Sequence, residues 1–558
     1  MTISSGHSRI RTALVALAAA TTLAVAGAVT LITAGAANAA VGVEDDGADC
    51  AVSLPGSLTA DAKLPDPFKK INGTRITSKS DWRCRREEIK KLAETYVYGT
   101  KPAKPATVTG SVTRSNITVS VSDNGHSASF SASVSLPSGT GPFPAVVVVG
   151  GLGADTATIL GAGVAIINYD PLAVGKEGTP RTNKQGAFYT LYGSSSTTGL
   201  LMAWAWGVSR IIDVIAQSDG SVIKADSLGV TGCSRYGKGA FVIGAFDQRI
   251  ALTMPIESGS GGVPIFRGIA TESGAQPLSS AYSEQPWLGD AFGSFTGNPN
   301  NLPVDTHEMV AMVAPRGLFI MENPTIDWLA ARSGSVSALA GAEVYKALGA
   351  GDNISYWSDI QNGTHCAVRP EWRTPLQQNL QKFLLKTGNA AGVFRIAASK
   401  SGNLADWRDW TTPTLIDGTP SSTPPSSVRP SSNPPSSPPP SSRPPSSPPP
   451  SSRPPSSPPP AGSCGATYRT VNSWPGGFQG EVTVTAGAAA LNGWTVTWTL
   501  GSGQTITQLW SGTLTTSGST ATVRSLSWNG SLAAGTSTTF GFTANGSPST
   551  PTLTCTSP

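Results

Sequence analysis

The chain is poor in charge and poorer still in histidine. Of 558 residues, 39 are Lys or Arg and 34 are Asp or Glu, together 13%, and only four are His. The formal net charge falls from +5 to +3 once Arg9 and Arg11 are set aside with the leader described below. The remaining positive charges are scattered, so no basic patch speaks for a nucleic-acid partner. There are six cysteines, with no C-x-x-C pair and no His/Cys cluster, so the spacing of a metal site is missing. Beyond the first forty residues no segment is expected to be apolar enough to cross a bilayer. Little charge with much Thr, Ser and Gly fits an exported protein that meets polymeric sugar rather than phosphate.

Composition divides the chain into four stretches. Residues 1–40 carry Arg9 and Arg11, then a long Ala/Val/Leu run ending in Ala37-Asn38-Ala39 before Ala40. This reads as a cleaved secretory signal peptide, the alternative being a retained N-terminal anchor. The expected location is extracellular, with no membrane association after cleavage. Residues 401–461 form a linker dominated from about 420 by Pro and Ser. Proline fixes φ and removes donors, so this stretch is an extended spacer. Residues 41–400 and 462–558 are the two folded parts, and a monomer is expected.

The larger part alternates short apolar runs with helical patterns. Strands are expected at 144–149, 164–168, 227–231, 250–256, 317–321 and 354–360, with a helical pattern over about 197–217. Continuous apolar strands between helices predict a mostly parallel sheet covered on both faces, an α/β-hydrolase sandwich. The smaller part alternates with period two at 481–485, 494–498, 521–524 and 538–542, between Gly/Ser/Asn turns, which predicts an all-β sandwich.

Gly232-Cys233-Ser234-Arg235-Tyr236-Gly237-Lys238-Gly239 stands between a strand pattern and a helical one. A serine in such a turn reads as a nucleophile elbow, with Oγ exposed at a helix N-terminus. G-x-S-x-G is met imperfectly, because Tyr236 stands where glycine is required, and a plain Gly/Ser turn has similar composition. A serine nucleophile needs a base, and in this fold the chain order is Ser, acid, His. His7 lies in the leader, His126 precedes the serine, and His307 opens an apolar helical run where a structural role is usual. His365 lies in a loop after the last strand, where the base is expected. Glu257, Glu322 and Asp327 each follow a strand and remain open as the acid.

Six cysteines in an exported chain predict three disulfides. Cys464 and Cys555 lie beyond the linker and bracket the small part, so they pair. Cys233 precedes Ser234 and Cys366 follows His365. A bridge between them would hold their Cα atoms within about 7 Å and draw base to nucleophile. Two buried free thiols are the alternative. Cys50 then pairs with Cys84.

The elbow, with Ile-Glu-Ser-Gly-Ser-Gly-Gly at 256–262 and Thr-His-Cys at 364–366, resembles the glucuronoyl esterases of carbohydrate esterase family fifteen over most of residues 45–390. The resemblance implies Ser234 as nucleophile, His365 as base and Glu257 as acid; Glu322 stays possible because some members carry an acid near that station. It implies that Arg235 serves the oxyanion and that Lys238, Gln276, Glu284 and Trp328 contact the sugar. The reaction implied is hydrolysis of esters between xylan-borne 4-O-methyl-glucuronate and lignin alcohols, without metal or organic cofactor. An acetylxylan or feruloyl esterase on the same fold, or an inactive wall-binding protein, is the alternative.

In the small part Trp494 and Trp498 stand four apart in one strand and are expected in the core. Trp474, Trp510 and Trp528 sit beside Gly, Ser or Asn. With Cys464 and Cys555, these motifs resemble a family two carbohydrate-binding module. The resemblance implies that the three form a planar face for crystalline cellulose, where exposed indoles stack on pyranose rings.

Overall fold

The computed structural model describes residues 43–361, 363–417, 464–474, 476–510, 512–526 and 529–557. The leader assigned to 1–40 and the Pro/Ser run from 420 lie outside these residues. The large part is built on one ten-stranded sheet. Its strands are β1 (Thr107–Val112), β2 (Asn116–Asp123), β3 (His126–Ser135), β4 (Phe143–Val149) and β5 (Ala165–Tyr169), then β6 (Ile223–Cys233), β7 (Ile250–Ile256), β8 (Gly317–Met321), β9 (Ile354–Trp357) and β10 (Phe394–Arg395). They lie in the order β1-β2-β3-β5-β4-β6-β7-β8-β9-β10. Pairing is parallel from β5 through β10, while β1, β2 and β3 add an antiparallel edge.

Every residue of β4 is buried, and its side chains divide between two cores. Ala145, Val147 and Val149 pack with Trp204, Trp206 and Phe241. Val146 and Val148 pack with Met254, Phe319, Trp372 and Leu380. Helices Leu200–Gln217 and Arg235–Phe246 thus supply one core and helix Pro370–Leu380 the other, which is why the parallel strands read as unbroken apolar runs. The antiparallel edge was not expected from the sequence. Its β2 buries only Ile117, Val119 and Val121 between exposed polar residues, a signal diluted by the surrounding Ser and Thr.

Helix Leu200–Gln217 corrects one expectation, because it is long and apolar enough by composition to cross a membrane. Its residues are nevertheless 89% buried inside the protein, and Arg210 pairs with Asp213 on it at 3.0 Å. It is a core helix clothed on all sides.

The boundary expected at residue 400 also moves. Trp407 O accepts from Leu64 N at 2.7 Å, and Ile416 N donates to Thr77 O at 3.1 Å. Trp410 is buried, donates from its indole to Leu64 O at 3.0 Å, and meets Phe68 edge to face. The chain through Asp417 therefore packs on the large part, because indoles at 407 and 410 carry apolar area that a linker could not leave in water.

In the small part, strands Cys464–Trp474, Gly477–Ala486, Ser537–Asn545 and Thr505–Trp510 form one antiparallel sheet. Strands Thr513–Ser517, Thr520–Arg524, Thr495–Thr499 and Thr554–Thr556 form a second. Trp494 and Trp498 lie in the core against Phe540 and Phe542. Cys464 and Cys555 join the two sheets, with Cα atoms 5.6 Å apart. The other disulfides are Cys50–Cys84 and Cys233–Cys366, with Cα separations of 5.4 and 5.8 Å.

Candidate active site

β6 ends at Cys233, helix Arg235–Phe246 begins at Arg235, and Ser234 alone makes the turn, at φ 60° and ψ −127°. A non-glycine residue there costs about 1–3 kcal/mol and persists only where neighbours over-determine it. They do so here. Ser234 N donates to Ile256 O and its carbonyl accepts from Lys238 N, both at 3.0 Å. A Cβ on Gly232 would lie 2.6 Å from Tyr236 O, and one on Gly237 2.4 Å from Ile256 O. The second glycine is thus required at 237, against β7, and position 236 is free to carry a ring. Tyr236 lies over Gly150, where a Cβ would meet the ring at 2.3 Å.

Glu257 follows β7 directly and is fully buried. Its Oε2 accepts from His365 Nδ1 and from Cys366 N, each at 2.7 Å. Its Oε1 accepts from Arg369 Nη2 at 3.1 Å. With Nδ1 donating, Nε2 of His365 is left as an acceptor, and among the described residues it has no hydrogen-bond partner. Glu257 and Cys366 share with Ser234 a positive φ, of 45° and 58°. The Cys233–Cys366 bridge ties the residue before the serine to the residue after the histidine.

Cys233, Glu257, His365 and Cys366 each bring a donor atom within 4.8 Å of the others. Both sulfurs are bonded to each other, so this set has no thiolate with which to hold an ion.

A polar wall flanks the elbow. Lys238 is buried, donates to Ser258 O at 2.6 Å, and lies 5.2 Å from the Trp287 ring centre. Burial pushes its ammonium down to about 8, against the opposing pull of Glu284 and Glu322. Arg235 stands 5.5 Å over the same indole and pairs with Glu177 at 3.0 Å and with Glu284 at 3.9 Å. Gln276 donates to Glu284 at 2.9 Å, and its backbone N donates to Trp328 O at 3.2 Å. Trp328 is 43% exposed and meets the His365 ring edge to face, centroids 4.7 Å apart. Glu177 and Trp287 were not singled out in the sequence. Glu177 stands in a loop with no motif, and Trp287 carries no motif that would mark it.

The description "Glucuronyl esterase, fungi" matches residues 119–349, and "Cellulose binding domain" matches residues 464–557. A 4-O-methyl-glucuronoyl methylesterase of Hypocrea jecorina is 41% identical over 376 residues, covering 66% of this chain and 80% of its own. The chain belongs to the glucuronoyl esterase family. The solved glucuronoyl esterase catalytic domain of the same organism is 38% identical with a TM-score of 0.61, covering 65% of this chain and all of its own. A serine-to-alanine mutant glucuronoyl esterase from Sporotrichum thermophile, in complex with methyl 4-O-methyl-beta-D-glucopyranuronate, is 37% identical with a TM-score of 0.61. It covers 66% of this chain and all of its own.

In this esterase the other candidates fall elsewhere. Glu322 follows β8, is fully buried, and accepts from Ser258 Oγ at 3.4 Å. Burial and the neighbouring Glu257 carboxylate push its pKa well above the ordinary carboxyl range. Asp327 pairs with Lys400 at 2.7 Å on the surface. His307 is buried with Nε2 2.9 Å from Pro65 O, and burial pulls its pKa down to about 4. His126 is exposed at the start of β3. In the small part, Trp474 and Trp510 end the two outer strands of one sheet, and Trp528 lies outside the described residues.

Proposed function

We propose that this esterase hydrolyses esters on the C6 carboxyl of 4-O-methyl-glucuronate carried by xylan, where the alcohol belongs to lignin. Ser234 is the nucleophile, His365 the base, Glu257 the orienting acid and Arg235 the oxyanion group. Lys238, Gln276, Glu284 and Trp328 hold the sugar. The observation that carries this reading is the Glu257–His365 hydrogen bond of 2.7 Å, which leaves Nε2 unpaired beside a strained serine turn joined to it by a disulfide. The 4-O-methyl-glucuronoyl methylesterase name of the Hypocrea relative and the uronate ester in the Sporotrichum complex support the substrate class.

Ser234 Oγ attacks the ester carbonyl carbon while His365 Nε2 takes its proton. Glu257 stabilises the imidazolium and keeps its orientation. The oxyanion is met by the Arg235 N–H and guanidinium, an effect of about 3 kcal/mol per donor. The intermediate expels the alcohol, which takes the proton from His365. Water then gives a proton to His365 and attacks the glucuronoyl–Ser234 ester. The uronic acid departs as Ser234 regains its proton. The small module holds the enzyme on cellulose through Trp474, Trp510 and Trp528, and the leader with three disulfides fits secretion.

Rates on benzyl glucuronate and on p-nitrophenyl acetate, for wild type and Ser234→Ala, test the reading. Turnover of the uronate ester that vanishes in Ser234→Ala is expected. An enzyme that cleaves only the acetate, or a variant with full activity, overturns it.

A further inference from the structure

We propose that Glu177 is a positioning residue that sets the Arg235 guanidinium for the oxyanion, using Trp287 as its anchor. The proposal rests on the esterase reading above.

Glu177 lies in the loop after β5 and its two carboxylate oxygens have separate tasks. Oε1 accepts from Trp287 Nε1 at 2.5 Å and Oε2 from Arg235 Nη1 at 3.0 Å. The indole is itself packed in the core. It is 2% exposed, and the Trp287 carbonyl accepts from Leu201 N at 3.1 Å at the start of the core helix. The loop is fastened to the same segment elsewhere, because Gly178 N donates to Gln285 Oε1 and Arg181 Nη1 to Leu288 O, both at 2.7 Å. Glu177 is therefore pinned before Arg235 meets it.

Arg235 needs such a partner. Its side chain is 39% exposed, and an exposed arginine carries large rotamer freedom that a lone surface pair does not restrain. Its other carboxylate neighbour, Glu284, is 3.9 Å away and holds Gln276. Without Glu177 the guanidinium would be left to Glu284, which also holds Gln276 in the wall meant for sugar hydroxyls. Loss of Glu177 would also leave the buried indole N–H without its acceptor, which Glu177→Gln still supplies.

The test is a double-mutant cycle on benzyl glucuronate, with Glu177→Ala and Glu177→Gln made in the wild-type and Arg235→Ala backgrounds. Misplacing a transition-state contact by an ångström costs about a hundredfold, so Glu177→Ala should lower kcat by about that factor with KM little changed. Glu177→Gln keeps an acceptor for the indole but loses the charge, and should fall between. In the Arg235→Ala background the further loss should be under about threefold, because the two residues act as a unit. A full additional loss there, an unchanged kcat, or a change confined to KM each overturns the proposal. Should Glu177→Ala fail to fold, Glu177→Gln carries the same comparison. If wild type proves inert to benzyl glucuronate, the substrate reading fails by itself, and the cycle is then run on the ester that wild type does cleave.

Discussion

Neutralising Glu257 without changing its shape should disable the enzyme in two measurable ways. Glu257→Gln leaves an amide facing three donors: His365 Nδ1, Cys366 N and Arg369 Nη2. The imidazolium that forms during attack loses its counter-charge, and a neutral partner can favour the wrong tautomer. The same change in a Ser-His-acid site costs about 10⁴ in kcat, or about 5 kcal/mol of barrier. Stability suffers because Arg369 is buried and loses its anion. Breaking such a pair costs about 3–5 kcal/mol. The lower end is expected here, since Arg369 keeps Thr364 O at 2.5 Å and the face of Trp372 at 5.2 Å. The assay is kcat on benzyl glucuronate with a thermal melt of each variant. Glu322→Gln is the control, because this carboxyl meets Ser258 rather than His365; its kcat should stay close to that of wild type. If Glu257→Gln stays within tenfold of wild type while Glu322→Gln collapses, the acid has been assigned to the wrong strand.

Other expectations follow from single contacts. Gly237→Ala places a Cβ 2.4 Å from Ile256 O, so the elbow must shift; kcat should fall at least about tenfold with a lower melting temperature, and unchanged kinetics would refute the role given to this glycine. Lys238 is protonated below about 8 and neutral above it, so cationic contact with the sugar fades as pH rises through that value. KM for the uronate ester should therefore increase across pH 8 in wild type but not in Lys238→Met, and a flat wild-type KM would contradict this. A chain ending at 400 loses buried Trp410 and Leu415, and should be less stable by at least the roughly 3–5 kcal/mol of a core Trp→Ala change. A chain ending at 417 should melt like the full protein while losing retention on cellulose; equal melting of the two truncations would place residues 401–417 outside the fold.

The sequence by itself determined what depends on local pattern. An unbroken apolar run such as Pro144 to Val149 marks a parallel strand because both faces of the sheet are covered and few polar residues fit on either. The elbow was legible as a serine among glycines at a strand-to-helix junction, although a plain Gly/Ser turn shares that composition. Chain order singled out His365 as the candidate base, and the motif around Glu257 carried the family likeness. Cysteines at 233 and 366, each beside a catalytic candidate, even pointed to which loop returns to the serine. Signals of weaker contrast were lost. The antiparallel edge hides its three buried residues of β2 among Ser and Thr, and Trp407 and Trp410 stand so near a proline tract that composition assigned them to it.

Only the tertiary structure shows which of the carboxylates meets His365. Glu257 and Glu322 each follow a strand and both are buried, and no spacing separates a group that faces His365 from one that faces Ser258. The difference lies in neighbours drawn from 108 residues away in the chain, whose placement depends on strand order and loop return. Glu177 and Trp287, 110 residues apart, are invisible for the same reason. Sequence pattern records which face of an element is apolar; hydrogen-bond partners and charge compensation between distant loops exist only once the sheet has brought those loops to one end.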